Sequence, residues 1–191
     1  MGFIPFAVNA LPLHAKFTSI NLFFQDESRF GLFTRNGKAL TAKGIKPICP
    51  FHQVFKTLYL FGAFSPINGD KFLLEMPNCN AANFQIFLDD FSLQNPDEFK
   101  IMVLDNGAFH KAKSLIIPDN IALLFLPPYS PELNPAENIW AMLKRMFTNK
   151  LYKTLDEVSE FITTATNSLS NEKIKSTCGF PYIFKGLNWT N

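Results

Sequence analysis

The stretch FKIMVLDNGAFHKAKSLIIPDNIALLFLPPYSPELNPAENIW, Phe99 to Trp140, decides the fold. It holds two apolar runs, Phe99–Leu104 and Ile121–Leu126, and each stops abruptly, the first at Asp105-Asn106-Gly107 and the second at a series of prolines. Runs of this length and apolarity predict central strands buried on both faces. The segment between them suffices for a short crossover helix, which would make the strands parallel neighbours with both C-terminal ends on one edge. Pro127, Pro128, Pro131 and Pro135 then stiffen the chain ahead of a helix expected to bury Ile139, Trp140, Leu143, Met146 and Phe147.

Working outward, Ile20–Gln25 reads as a strand that ends at Asp26, followed by strand-like segments at Phe30–Thr34, Lys38–Pro50 and Lys56–Phe64. Asn36-Gly37 and a proline-containing stretch mark turns between them, so the set predicts an antiparallel meander, with Lys71–Met76 as a short extra strand. Phe84, Phe87, Leu88 and Phe91 recur at helical spacing and predict an amphipathic helix from near Asn80 to Gln94. Thr154 to Glu157 is a capping box opening a last helix with the stripe Leu155, Val158, Ile162, Ala165 and Leu169. The class is α/β.

The chain has 191 residues, 47% of them apolar and 22 of them phenylalanine, enough for a large core. Three separated cysteines form no Cys-x-x-Cys pair, which argues against a disulfide framework and a zinc knuckle and favours reduced thiols in a cytoplasmic protein. No apolar run approaches the roughly 18 to 20 residues needed to span a bilayer, so no membrane partner is expected. The apolar N-terminus lacks the charged region of a signal peptide. A net charge of +2 neither demands nor excludes nucleic acid, so any DNA contact must come from a local patch.

Three acids stand out by position: Asp26 at a strand end, Asp105 at the end of a buried strand, and Glu137 in the first turn of the next helix. All three could meet at one sheet edge, where carboxylates repel unless cations neutralise them. Hard oxygen ligands without His or Cys suit Mg2+ or Mn2+. Two such ions about 3.5 to 4 Å apart activate a water or hydroxyl and stabilise the leaving oxygen in phosphoryl displacement. The same residues also admit a plainer role. Asp105-Asn-Gly is common turn chemistry, and Asn134-Pro-Ala-Glu137 can be a helix start of capping-box type.

The motifs QDESRFG (Gln25–Gly31), LDNGAFHKAK (Leu104–Lys113) and LPPYSPELNPAENIW (Leu126–Trp140) resemble the DDE transposase family of the mariner superfamily, in its bacterial insertion-sequence branch. The resemblance runs from about Asn21 to Phe147. It implies a ribonuclease H-like fold, a central five-stranded mixed sheet flanked by helices, with Asp26, Asp105 and Glu137 as catalytic metal ligands for two Mg2+ or Mn2+ ions. The implied reaction is DNA hydrolysis at the ends of a mobile element, then attack of the freed 3′-hydroxyl on target DNA, typically at TA. The separation of Asp105 from Glu137 is a little shorter than that family usually shows. Residues 20–150 are then the catalytic domain, 151–191 a C-terminal helix and tail packed on it, and 1–19 a remnant or linker.

Neighbouring residues divide less sharply. Glu27 would point to the opposite side of an extended strand from Asp26, as a structural or salt-bridge residue. Arg29 could reach a phosphate or pair with Glu27. His110 and Lys111 could orient a phosphate or water, and a structural histidine is the alternative. Lys144, two turns after Glu137, is placed for phosphate contact, with Lys113 and Arg145 as further candidates or plain solvated charge. Asn134 supports the helix start, and Trp140 is core. Relatives carry an N-terminal helix-turn-helix region that is expected to be missing here. The expectation is therefore a catalytic domain that binds element-end and target DNA as a homodimer or with a separate recognition domain. The competing expectation is a non-catalytic remnant that binds DNA or transposase.

Overall fold

The structure is a computed structural model and describes residues 17–34, 37, 41–46, 48 and 51–183. Five strands form one mixed sheet: β1 (Ser19–Gly31), β2 (Thr57–Phe64), β3 (Lys71–Met76), β4 (Glu98–Leu104) and β5 (Ile121–Phe125), in the order β3-β2-β1-β4-β5. β1, β2 and β3 pair antiparallel, whereas β4 and β5 run parallel to β1 and to each other. This is the ribonuclease H-like five-stranded arrangement expected above.

Alternation along the strands sorts their side chains onto two faces. Leu22, Phe24, Phe30, Leu60, Phe64, Ile101 and Val103 meet α2 (Ala136–Phe147), α3 (Leu155–Asn167) and α4 (Asn171–Cys178) through Trp140, Leu143, Val158, Ile162 and Ile174. Phe23, Phe61, Met102 and Leu104 meet α1 (Ala81–Leu93), whose Phe84, Phe87, Leu88 and Phe91 are fully buried. The α1 stripe expected from its spacing is the one buried, and the Asn80 side chain caps it by accepting from the Asn83 amide at 2.9 Å.

Several expectations are corrected. β5 is not a central strand buried on both faces but the edge strand beside β4, part-buried from Ala122 to Phe125, because only β4 pairs with it. β1 does not end at Asp26 and Phe30–Thr34 is not a separate strand, because Gln25 through Gly31 continue in register against β2. The reason lies in the partners: parallel pairing to β4 stops at Phe24, while antiparallel pairing to β2 supplies a ladder for seven residues more. Of the expected Lys38–Pro50 strand, residues 41–46 and 48 contain no strand, and residues 38–40, 47, 49 and 50 lie outside the described residues, as do 1–16 and 184–191. The β4–β5 crossover holds a 3-10 turn, Ala108–Lys111, in place of a helix. Met146 is 41% exposed, since the buried face of α2 is completed by Ala136 and Phe147. The last helix of the sequence reading is followed by another, α4, capped by Ser170 and seated through Ile174 and Cys178.

Candidate active site

Parallel pairing places the C-terminal ends of β4 and β5 beside the middle of β1. Beyond Phe24 the β4-facing edge of β1 has no strand neighbour, and the proline-rich segment after β5 closes over this gap. Asn134 makes the connection. Its Nδ2 donates to the Gln25 carbonyl at 2.9 Å, and its Oδ1 accepts from the Ala136 amide at 3.1 Å. One buried side chain thereby ties the residue before Asp26 to the residue before Glu137. The capping-box alternative fails here, because the Asn134 amide it needs donates to the Pro131 carbonyl at 2.9 Å. The helix start is set by Pro135, in helical conformation and with no side-chain hydrogen bond of its own to give, while Asn134 Oδ1 takes the first amide of the helix.

The result is a cleft of about 350 Å3 lined by Asp26, Asp105 and Glu137 together with Asn106, Asn134 and Tyr129. The three acids singled out from the sequence thus share one cavity. Asp26 is part-buried, and Asp105 and Glu137 are exposed. Their chemistry is that of hard oxygen donors, although among the described residues no three His, Cys, Asp or Glu side chains already close around a single point. Opposite Asp26 on β2 stands Gly62. A Cβ there would come within 2.7 Å of the Trp140 ring, so its absence lets α2 lie close against the sheet beside the cleft.

Behind the cleft runs a chain of polar contacts. The Gln25 side chain donates through Nε2 to Glu27 Oε1 at 2.6 Å, Glu27 Oε1 meets His110 Nε2 at 3.0 Å, and His110 Nδ1 meets Asp105 Oδ1 at 2.8 Å. The Gly107 amide donates to the same Asp105 oxygen at 2.8 Å. His110 is 2% exposed and packed against Phe84 and Phe109. Both ring nitrogens face carboxylates, so His110 supports Asp105 and is closed to phosphate. Glu27 lies on the face away from Asp26, as its strand position predicts.

Burial is the main force on Asp26. With help from the Glu27 and Glu137 charges, it lifts the carboxyl from 3.8 to about 7. Asp105 moves the other way, held below the ordinary carboxylate range chiefly by its His110 bond. For His110, burial opposes the charged ring, but the bonds to Asp105 and Glu27 together outweigh it and raise the imidazolium to about 9. Cys79 is pushed up to about 11 by burial and then by the same carboxylates. The cleft carries negative charge that its own residues leave uncompensated.

The remaining sequence candidates lie around the rim or outside it. Lys111 Nζ donates to Asn106 Oδ1 and sits 4.9 Å from the centre of the Phe125 ring. Lys113 and Arg145 are exposed and Lys144 is part-buried, and none of them lines the cleft. Arg29 is exposed and borders a separate groove with Phe33, Phe55 and Phe147. Glu27 takes His110 as its partner in place of Arg29. Sequence reasoning missed the role of Asn106, whose Nδ2 donates to the Leu126 carbonyl and joins the ends of β4 and β5. Its place beside Asp105 in the LDN motif was the available signal.

A family model described as DDE superfamily endonuclease matches residues 21–159. The chain is 34% identical over 119 residues to the uncharacterized protein y4pE/y4sA of Sinorhizobium fredii, covering 61% of this chain and 88% of that protein. It is 35% identical over 77 residues to the transposable element Tc3 transposase of Caenorhabditis elegans, which is 38% of this chain and 23% of that one. Among solved structures it is similar to the Mos1 transposase paired-end complex with left transposon end, with a TM-score of 0.65 at 15% identity over 90% of this chain. The Mos1 mariner paired end complex with Mn gives a TM-score of 0.66 at 15% identity, again over 90% of this chain. At these identities the Mos1 likeness speaks for the fold. The chain spans 56% and 57% of those two chains.

Proposed function

Because the chain belongs to the DDE superfamily endonuclease family, we propose that it is the catalytic domain of an insertion-sequence transposase that cuts and rejoins DNA with two divalent cations, Mg2+ or Mn2+, held by Asp26, Asp105 and Glu137. The single observation that carries this reading is the convergence of those carboxylates in one cleft at the C-terminal edge of β4 and β5. Their donor chemistry fits such cations, and Asp26, raised chiefly by burial, also feels the Glu27 and Glu137 charges, with no Lys, Arg or His among the described residues that line the cleft. Mos1 mariner structures with Mn and with Mg add support by analogy of fold.

Bound there, the cations would activate a water or a 3′-hydroxyl and neutralise the leaving oxygen of an in-line displacement. The chain's own residues prepare for this. Asp26, whose carboxyl is raised to about 7, would be held ionised by a bound cation. Asp105 stays ionised, with one oxygen fixed by His110 and Gly107 and the other left for a ligand. Glu137 is delivered by a helix start that Pro135 and Asn134 hold in place. The substrates are element ends and a TA-type target, and the working form is a homodimer or an assembly with a separate DNA-recognition domain.

The test is cleavage of supercoiled plasmid and of element-end DNA with Mg2+ or Mn2+, beside Asp105→Asn and Glu137→Gln. Metal-dependent nicking lost in both variants, with folding intact, is the expected result. Activity that survives both substitutions refutes the ligand assignment. A wild type that never cuts supports a DNA-binding remnant instead.

A further inference from the structure

One residue of the cleft is costly in its place and has no packing to explain it. Tyr129 is 100% exposed and its backbone has φ of +59°. Pro128 and Tyr129 occupy the middle of a turn, and a positive φ at the second of these positions is where turns favour Gly or Asn. A tyrosine there carries backbone strain with no burial of its ring to offset it, and such strain collects at functional sites. The surrounding chain keeps it there. Proline precedes it at two positions, the Ser130 hydroxyl donates to the Pro128 carbonyl at 3.4 Å, the Leu133 amide donates to the Ser130 carbonyl at 3.1 Å, and the Tyr182 hydroxyl donates to the Leu133 carbonyl at 2.8 Å. The ring therefore stands at the rim of the cavity lined by Asp26, Asp105 and Glu137.

We propose that Tyr129 is a substrate-positioning residue that stacks on the nucleobase next to the phosphate being cut. The proposal rests on the DNA-cleaving reading of the cleft and adds a base contact to it. An aromatic face accepts any base, and one such stack is commonly worth roughly 10- to 100-fold in affinity for unpaired DNA. A preset ring also fixes the nucleotide before chemistry at little further loss of freedom. The OH is not needed for stacking, so the ring matters more than the hydroxyl.

The experiment compares wild type, Tyr129→Asn and Tyr129→Phe in the full chain. Binding is measured in Ca2+ to a single-stranded oligonucleotide carrying 2-aminopurine, nicking is measured on plasmid in Mn2+, and Tm is measured without DNA. Asn suits the positive φ, so Tyr129→Asn is expected to keep or raise Tm while losing roughly 10- to 100-fold in DNA affinity and most of the 2-aminopurine quenching. Tyr129→Phe is expected to behave as wild type in both DNA assays. A Tyr129→Asn variant that binds and nicks as wild type overturns the proposal, and so does one whose Tm falls, since the ring is then structural. If wild type and Asp105→Asn alike neither bind nor nick DNA, the reading of the cleft fails and Tyr129 falls with it.

Discussion

Asn in place of Asp26 should stabilise the metal-free protein at alkaline pH and do much less at acid pH. The folded carboxyl titrates at about 7 against 3.8 for a free one, mainly because it is buried and secondarily because Glu27 and Glu137 are near. A raised carboxyl contributes stability that is fully present below pH 3.8 and is lost as pH climbs through 7. Each pH unit between the two states is about 1.4 kcal/mol, so this one group loses roughly 2 to 3 kcal/mol between pH 5 and pH 8. Asparagine is nearly the same shape and has no such loss. For a chain of this size the difference corresponds to a Tm advantage of Asp26→Asn over wild type that grows by roughly 5 to 10 °C from pH 5 to pH 8. Other groups, His110 among them, titrate in both proteins and drop out of the comparison to first order. Thermal melts in EDTA at the two pH values measure it. Adding Mn2+ at pH 8 should then raise the Tm of wild type and leave Asp26→Asn largely unmoved, because a cation offsets the cost of the buried charge and its repulsion from Glu27 and Glu137, both of which the substitution removes. An advantage that is equal at the two pH values, or a variant less stable than wild type at pH 8, would refute the electrostatic account of the cleft.

Other consequences concern the frame around the acids. Glu27→Ala and His110→Asn should weaken Mn2+ binding and nicking by roughly 10- to 100-fold, as removal of a ligand's supporting partner usually does, and calorimetric titration of the metal checks it. Asn134→Leu leaves the Gln25 carbonyl without its partner and should cost roughly 1 to 3 kcal/mol in urea denaturation, with nicking falling further than stability alone explains. Gly62→Ala forces the Trp140 ring away from β2, so it should lower Tm by several degrees and reduce nicking together, roughly the 1 to 3 kcal/mol typical of overpacking.

Much of this architecture was legible from local pattern. The α1 stripe of four apolar residues and the Leu155–Leu169 stripe are periodic, and the β4 run is apolar throughout, over enough residues for burial to dictate one structure, whereas the equally apolar β5 run gave a strand but not its place at the sheet edge. The sequence also nominated Asp26, Asp105 and Glu137, by their positions after apolar runs and through motif resemblance. Local pattern failed where the outcome depends on a distant partner. The QDESRFG segment is too polar to announce a strand, yet it is one, because β2 offers it a ladder. The mixture of lysine, alanine and histidine after Gly107 fits a helix, but the chain had only to cross to β5 and did so with a 3-10 turn.

What the sequence by itself determined is the class of fold and the kinds of groups available for chemistry, since those follow from periodicity, composition and short motifs. Only the tertiary structure decided how they are arranged. It made Asn134 a tie between β1 and α2, closed His110 between Glu27 and Asp105, and left Tyr129 exposed on a strained turn at the cleft. Each of these joins or places groups across folded elements, Glu27 and His110 being 83 residues apart and Gln25 and Asn134 109 apart. Pairings at that separation form only when the sheet assembles, because their geometry is set by strand order and register and not by neighbours in the chain.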